Sequence, residues 1–149
     1  LLDSPITEVA WLPGILSTSK AASGLQDPAF MMMRLGSGVL ATLELFLNAG
    51  HGYSTQCEVV GEHGTGRFLE PASVAYNAEL KSYTQYPQDW RPRFAEAYRR
   101  QLQAWIHSLQ EETGSPLASA EDGLRATLAA EAMVASMHNG GAFTPVEQV

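Results

Sequence analysis

A chain of 149 residues with 45% hydrophobic content can bury one sizeable core and is short for two ordinary domains, so a single domain over 1–149 is expected. Its net charge of -7, with scattered acidic residues and no Lys/Arg run, argues against nucleic acid or an anionic membrane as partner, and no apolar run approaches the roughly 20 residues of a membrane-spanning helix. The single cysteine, Cys57, excludes an internal disulfide and suits a reducing, cytoplasmic setting.

In chain order, Leu1-Leu2-Asp3-Ser4-Pro5 reads as the last turn of a helix ended by Pro5, which implies a chain that begins mid-protein. Ile6 to Leu12 is a short strand closed by Pro13-Gly14, and the Ser/Ala/Gly-rich Ser17 to Asp27 is a loop. Two apolar runs, Ala29 to Leu35 and Val39 to Leu47, flank Gly36-Ser37-Gly38, a hairpin signal because glycine reaches the positive φ of a tight turn. In the second run Val39, Ala41, Leu43, Leu45 and Leu47 share one face; Leu40, Thr42, Glu44, Phe46 and Asn48 share the other. Met31-Met32-Met33 is strand packing.

Tyr53 to Gly61 predicts a third long strand, turning at Glu62 to Gly66, and shorter strands are expected at Arg67 to Leu69, Ser73 to Asn77 and Leu80 to Tyr86. The period then changes. Trp90, Phe94, Tyr98, Leu102, Trp105 and Leu109 recur three or four apart and predict a long amphipathic helix, broken by Gly114-Ser115-Pro116. Ser119 with Asp122 resembles a capping pair for a second helix carrying Leu124, Leu128, Met133 and Met137, closed by Gly140-Gly141. The tail from Ala142 can add an edge strand, where Pro145 is tolerated. Strands first and helices last predict an α+β domain: a large open, mostly antiparallel sheet of six or seven strands with two C-terminal helices packed on one face.

Few chemical motifs are legible. No G-x-G-x-x-G follows a strand, so no dinucleotide phosphate site is expected in this chain. His51, His63, His107 and His138 lack ligand spacing, which argues against a metal site, and no G-x-S-x-G elbow exposes a nucleophilic serine. The stretch Asn48 to Cys57 clusters small and hydrogen-bonding residues between two strands and can present side chains to a ligand; a solvated hairpin connection is the plainer reading. Trp90, Phe94 and Tyr98 fit a helix core, yet a buried Tyr98 hydroxyl would need a partner.

Tyr53 to Gly64, reading YSTQCEVVGEHG, resembles the C-terminal domain of the Gfo/Idh/MocA oxidoreductases, the family of glucose-fructose oxidoreductase and inositol dehydrogenase. The likeness takes in Gly24-Leu25-Gln26-Asp27-Pro28, Glu70-Pro71-Ala72-Ser73-Val74, the segment from Asp89-Trp90 to Tyr98, and Asp122-Gly123 followed by Ala130, Ala132 and Ser136. The inositol 2-dehydrogenase branch is the nearest in likeness. The resemblance implies an N-terminal Rossmann domain, absent from this chain, that binds NAD or NADP and carries the catalytic lysine, with an Asp/His pair on the helix that ends around Leu1-Leu2. On this reading no catalytic and no cofactor-binding residue lies here, and the chain alone is inactive.

The implied reaction of the whole protein is oxidation of a secondary hydroxyl of a cyclitol or sugar. Tyr53 and Tyr98 match family positions whose phenols reach a polyol, and Asn48 and His51 are further candidate substrate contacts. A phenol both donates and accepts hydrogen bonds, and its ring can lie against the C–H face of a cyclitol. Ser54 stands where inositol dehydrogenases often carry an acidic residue, which leaves the particular polyol open. A sheet covered on one face only implies a homodimer or homotetramer through the other. The competing reading is a stand-alone ligand-binding or dimerisation module without catalysis.

Overall fold

The computed structural model describes residues 2–14, 18–24, 26–68 and 75–149. The chain forms two compact units, one of residues 1–49 with 118–149 and one of residues 50–117.

The first unit holds a four-stranded antiparallel sheet in the order β3-β2-β1-β8. Its strands are β1 (Ile6–Leu12), β2 (Ala29–Leu35), β3 (Leu40–Leu45) and the last strand of the chain, β8 (Thr144–Pro145). Trp11 faces Met31 and Val9 faces Met33 across β1 and β2, while Met31 faces Leu43 across β2 and β3. The Gly36 to Gly38 turn forms as expected: Gly38 N–H donates to Leu35 O, Leu35 N–H donates to Val39 O, and Gly38 takes φ 87°. β8 is an edge strand against Glu8 and Val9, the place where Pro145 needs no outward N–H partner.

One helix, α2 (Ala120–His138), packs on β1 and β8. Ser119 caps it: its hydroxyl accepts from Asp122 N–H, and the Asp122 carboxylate accepts from Ser119 N–H. The Ser119 backbone and hydroxyl donors hold the Asp122 pKa below its usual range. Of the expected residues Met133 is buried, and the small residues Ala129, Ala132 and Ser136 complete the buried face of the helix. Spaced 3, 1 and 3 apart, the four form one face, and the small size of the other three lets the helix approach the sheet. Leu128 and Met137 pack at its margins and Leu124 stays exposed. With Val9, Trp11, Ala29, Met31 and Val146 these residues make the core.

Ser136, fully buried, ties three parts of this unit together. Its hydroxyl accepts from Trp11 N–H at 2.9 Å and donates to Ala142 O at 2.6 Å, completing the edge of β1 beyond the end of β8. Gly141 then passes over Trp11: at φ 84° a Cβ there would lie 2.5 Å from Pro13 Cδ and 2.9 Å from Trp11 O, so only glycine fits.

The second unit contains two hairpins and a helix. β4 (Glu58–Gly61) pairs with β5 (Gly64–Arg67), β6 (Ala75–Ala78) pairs with β7 (Lys81–Thr84), and α1 spans Trp90–Gln110. Antiparallel pairing and two long helices agree with the expected α+β class; the strands are shared among the four-stranded sheet and these two hairpins. The third strand starts later than expected, because Tyr53 N–H is taken by Pro87 O at 2.8 Å rather than by a ladder. Leu69 and Ser73, expected ends of two strands, lie outside the described residues, as does the Glu70 to Val74 segment. The β6–β7 turn places Glu79 and Leu80 at φ 54° and 60°, with Leu80 fully exposed. Asp89 caps α1 by accepting from Arg91 N–H, and Pro92 sits in the first turn, where its missing N–H costs nothing.

The opening segment departs from its reading. Leu2 to Pro5 carries no helical turn, Asp3 takes φ 43°, and Pro5 leads straight into β1. A segment this short cannot close the intrahelical hydrogen bonds that would hold a turn. No described helix is long and apolar enough to cross a membrane.

Candidate functional site

Three of the four candidate residues, His51, Tyr53 and Tyr98, lie in the second unit. Gly52 lets the chain run close against Tyr86-Pro87: at φ 106°, its added Cβ would lie 2.9 Å from Tyr86 Cβ and 3.0 Å from Pro87 O. That approach brings Tyr53 N–H to Pro87 O and sets the neighbouring side chains. The exposed His51 ring meets the Tyr86 ring edge-on, with centroids 5.5 Å apart at 68°. Half-buried Tyr53 meets Phe94 of α1 at 6.1 Å and 87°. Such edge-to-face geometry is the favoured one for aromatic pairs.

Phe94 and Tyr98, four residues apart, share a face of α1. Tyr98 is half exposed and its ring contacts Trp90 at 5.6 Å. The two tyrosines are therefore carried on one aromatic row, Tyr53 through Phe94 and Tyr98 directly. Leu102, Trp105 and Leu109, further along the expected stripe, remain half exposed or more. Arginines frame the row, Arg91 over Trp90 at 6.0 Å and Arg93 over Phe94 at 5.1 Å. On the same helix, Glu96 accepts from Arg99 and Arg100, which lower its pKa from 4.5 to about 2, Arg99 contributing most. That carboxylate is committed to its ion pairs.

Asn48, the fourth candidate, belongs to the first unit. Its backbone N–H and its side-chain Nδ2 donate to Asp27 Oδ2 at 3.1 and 2.6 Å, and Leu47 N–H donates to Asp27 Oδ1 at 3.0 Å. Asp27 is 2% exposed. The first unit also has a cleft of about 670 Å³ among Leu2–Ile6, the first turns of α2 and the tail, and it is lined by none of the four candidates.

The places of Gly52, Tyr86 and Asp27 beside the candidate residues were not legible in the sequence. Nothing in the sequence separates Gly52 from neighbouring glycines, Tyr86 reads as the end of a strand run, and Asp27 reads as a loop residue before Pro28. A charge immediately preceding a buried strand, and its place in the Gly24 to Pro28 likeness, were the signals available for Asp27.

Gln88-Asp89 precedes α1 and Ala118-Ser119 precedes α2, so neither helix opens on a glycine-rich turn able to cradle a pyrophosphate. Among the described residues no three His, Cys, Asp or Glu side chains converge as a metal site.

A family model for the C-terminal alpha/beta domain of an oxidoreductase family matches residues 4–147. The chain belongs to the Gfo/Idh/MocA oxidoreductases. It is 51% identical over 146 residues to inositol 2-dehydrogenase 2 of Paenarthrobacter aurescens, a match that covers 98% of this chain and 44% of that protein. Identity to inositol 2-dehydrogenase 1 of Saccharopolyspora erythraea is 40% over 148 residues, covering 99% and 42%. Among solved structures, myo-inositol dehydrogenase from Lactobacillus casei, in complex with NAD(H) and myo-inositol, gives a TM-score of 0.85 at 23% identity, over 99% of this chain and 44% of that one. The scyllo-inositol dehydrogenase of the same bacterium gives 0.83 at 24%, over 95% and 42%. At such identities these likenesses establish the fold. The chain spans less than half the length of these curated relatives.

Proposed function

We propose that the full-length protein carrying this chain oxidises a secondary hydroxyl of a cyclitol or sugar, with NAD or NADP held by a preceding Rossmann domain as the hydride acceptor. The observation that carries this reading is the identity to an inositol 2-dehydrogenase over almost the entire chain. The share of this domain is to hold the polyol. Tyr53 and Tyr98, on one aromatic row, offer phenols that donate to and accept from ring hydroxyls while their faces cover C–H bonds. His51 adds a polar contact in the same unit, and Asn48, in the first unit, is a further candidate contact. Fixing a hydroxyl and its C–H bond in line for transfer lowers the barrier without any group here acting as base.

The sheet supports a homodimer or homotetramer. On the face opposite α2, where the register sets Phe30 against Glu44 and Leu40 against Arg34, Phe30 and Leu40 are 37% and 57% exposed. Apolar side chains so displayed mark an association surface. Sedimentation of the full-length protein is expected to give a dimer or tetramer; a monomer at all concentrations would exclude this part of the reading. A reducing cytoplasm suits the exposed, unpaired Cys57.

The test is nicotinamide reduction by the full-length protein with a panel of cyclitols and sugars, repeated with Tyr53→Phe and Tyr98→Phe. At least one cyclitol or sugar should be oxidised, with KM raised or turnover lowered in each variant and thermal stability kept. Inactivity on the whole panel would refute the function, and unchanged kinetics in both variants would remove the tyrosines from the site. The chain alone is expected to be inactive.

A further inference from the structure

Asp27 is buried before β2, and among the described residues its side-chain hydrogen bonds run to residues 47 and 48, some twenty positions away in sequence. An ionised carboxylate only accepts. It therefore dictates which way the Asn48 amide faces, because Nδ2 must turn toward Asp27 and the reversed amide would set two acceptors against each other. With Nδ2 held at 2.6 Å, the carbonyl Oδ1 is the end left over, and no donor among the described residues reaches it. Asn48 itself is only partly buried. Beside Asp27 in the chain, Gln26 Oε1 is buried with no donor among the described residues. The entry to β2 thus concentrates acceptors and consumes the donors, the arrangement that suits a ligand whose polar groups are hydroxyl donors.

We propose that Asp27 is a positioning residue for the polyol: it locks Asn48 so that Oδ1 accepts a hydrogen bond from a ring hydroxyl of the substrate. The inference rests on the polyol-oxidising reading above and assigns Asp27 a role in it. Asp27 touches no substrate. It acts through the amide, which would otherwise flip freely and offer a donor as often as an acceptor.

A double-mutant cycle on the full-length protein tests this, with Asp27→Asn, Asn48→Ala and the pair, measured as KM for the best cyclitol or sugar and KM for the nicotinamide. Each single change should raise the polyol KM about tenfold, as loss of one well-placed hydrogen bond does, with the nicotinamide KM unchanged. The pair should be no worse than Asn48→Ala alone. Multiplicative effects in the pair, or a polyol KM unmoved by Asp27→Asn, would overturn the proposal and leave the dehydrogenase reading standing. A parallel rise in both KM values with a lowered Tm would show a structural role only, and would also overturn it. Should Asp27→Asn fail to fold, Asn48→Ala still decides, since Asp27 keeps its two backbone donors in that variant; an unchanged polyol KM then refutes the contact. A wild-type protein inactive on the whole panel overturns both readings together.

Discussion

Replacing Gly52 by alanine probes the step from backbone geometry to site most sharply. At φ 106°, an L side chain carries a strain of roughly 1–3 kcal/mol. The new methyl would lie 2.9 Å from Tyr86 Cβ and 3.0 Å from Pro87 O, well inside the roughly 3.5–4.0 Å of ordinary contact. Relief requires the 52–53 segment to move away from 86–87, which breaks the Tyr53 N–H bond to Pro87 O, worth about 0.5–1.5 kcal/mol. Together these give a loss of about 2–4 kcal/mol. Gly50→Ala is the internal control, because a Cβ there meets nothing within 4 Å and the backbone is not in the left-handed region. Urea unfolding of the two full-length variants, with polyol KM measured alongside, is the assay. Gly52→Ala should lower stability, expose the Tyr53 amide to hydrogen exchange and raise the polyol KM, with Gly50→Ala close to wild type. Equal behaviour of the two variants would refute the view that close backbone approach at Gly52 sets Tyr53.

Three further outcomes follow from the packing. Ser136→Ala strands a buried Trp11 N–H and the Ala142 carbonyl, and should cost about 2–4 kcal/mol in urea unfolding, more than the roughly 1 kcal/mol expected for the exposed cap Ser119→Ala; the reverse order would contradict the assignment. Leu80→Gly relieves a left-handed leucine that buries nothing, and should leave stability unchanged or raise it by about 1 kcal/mol; a loss would show that the side chain has a partner. Glu96, whose folded pKa of about 2 lies below the unfolded 4.5, supports α1 above about pH 4.5 and loses that contribution as pH falls toward 2; an NMR titration of its carboxylate with a midpoint near 4.5 would refute the ion pairs with Arg99 and Arg100.

Local patterns made much of the fold legible. Alternation placed β1, β2 and β3, the glycines at 36 and 38 placed their hairpin, and the Ser119/Asp122 pair fixed the start of α2. The inner face of α2 was legible in part, since Met133, Leu128 and Met137 do meet the core, whereas Leu124 stays exposed and close approach to the sheet selects Ala129, Ala132 and Ser136. The third strand was read too long because alternation cannot show that Tyr53 bonds to Pro87, 34 positions on. Of the candidate site, Tyr53 and Tyr98 came from family likeness; periodicity alone assigns Tyr98 to a core. Asp27 was out of reach for a different reason. Its partners at 47 and 48 are brought to it only by the pairing of β2 with β3, where Ala29 faces Leu45.

The central proposal is that this domain helps a nicotinamide enzyme take hydride from a polyol. The most direct measurement supplies the full-length protein with a cyclitol deuterated at its carbinol carbon and follows the label into the reduced nicotinamide by NMR. Deuterium on the nicotinamide ring, with the labelled substrate turning over more slowly than the unlabelled one or at the same rate, is the predicted result. No reduction, or reduction without transfer of the label, would contradict it.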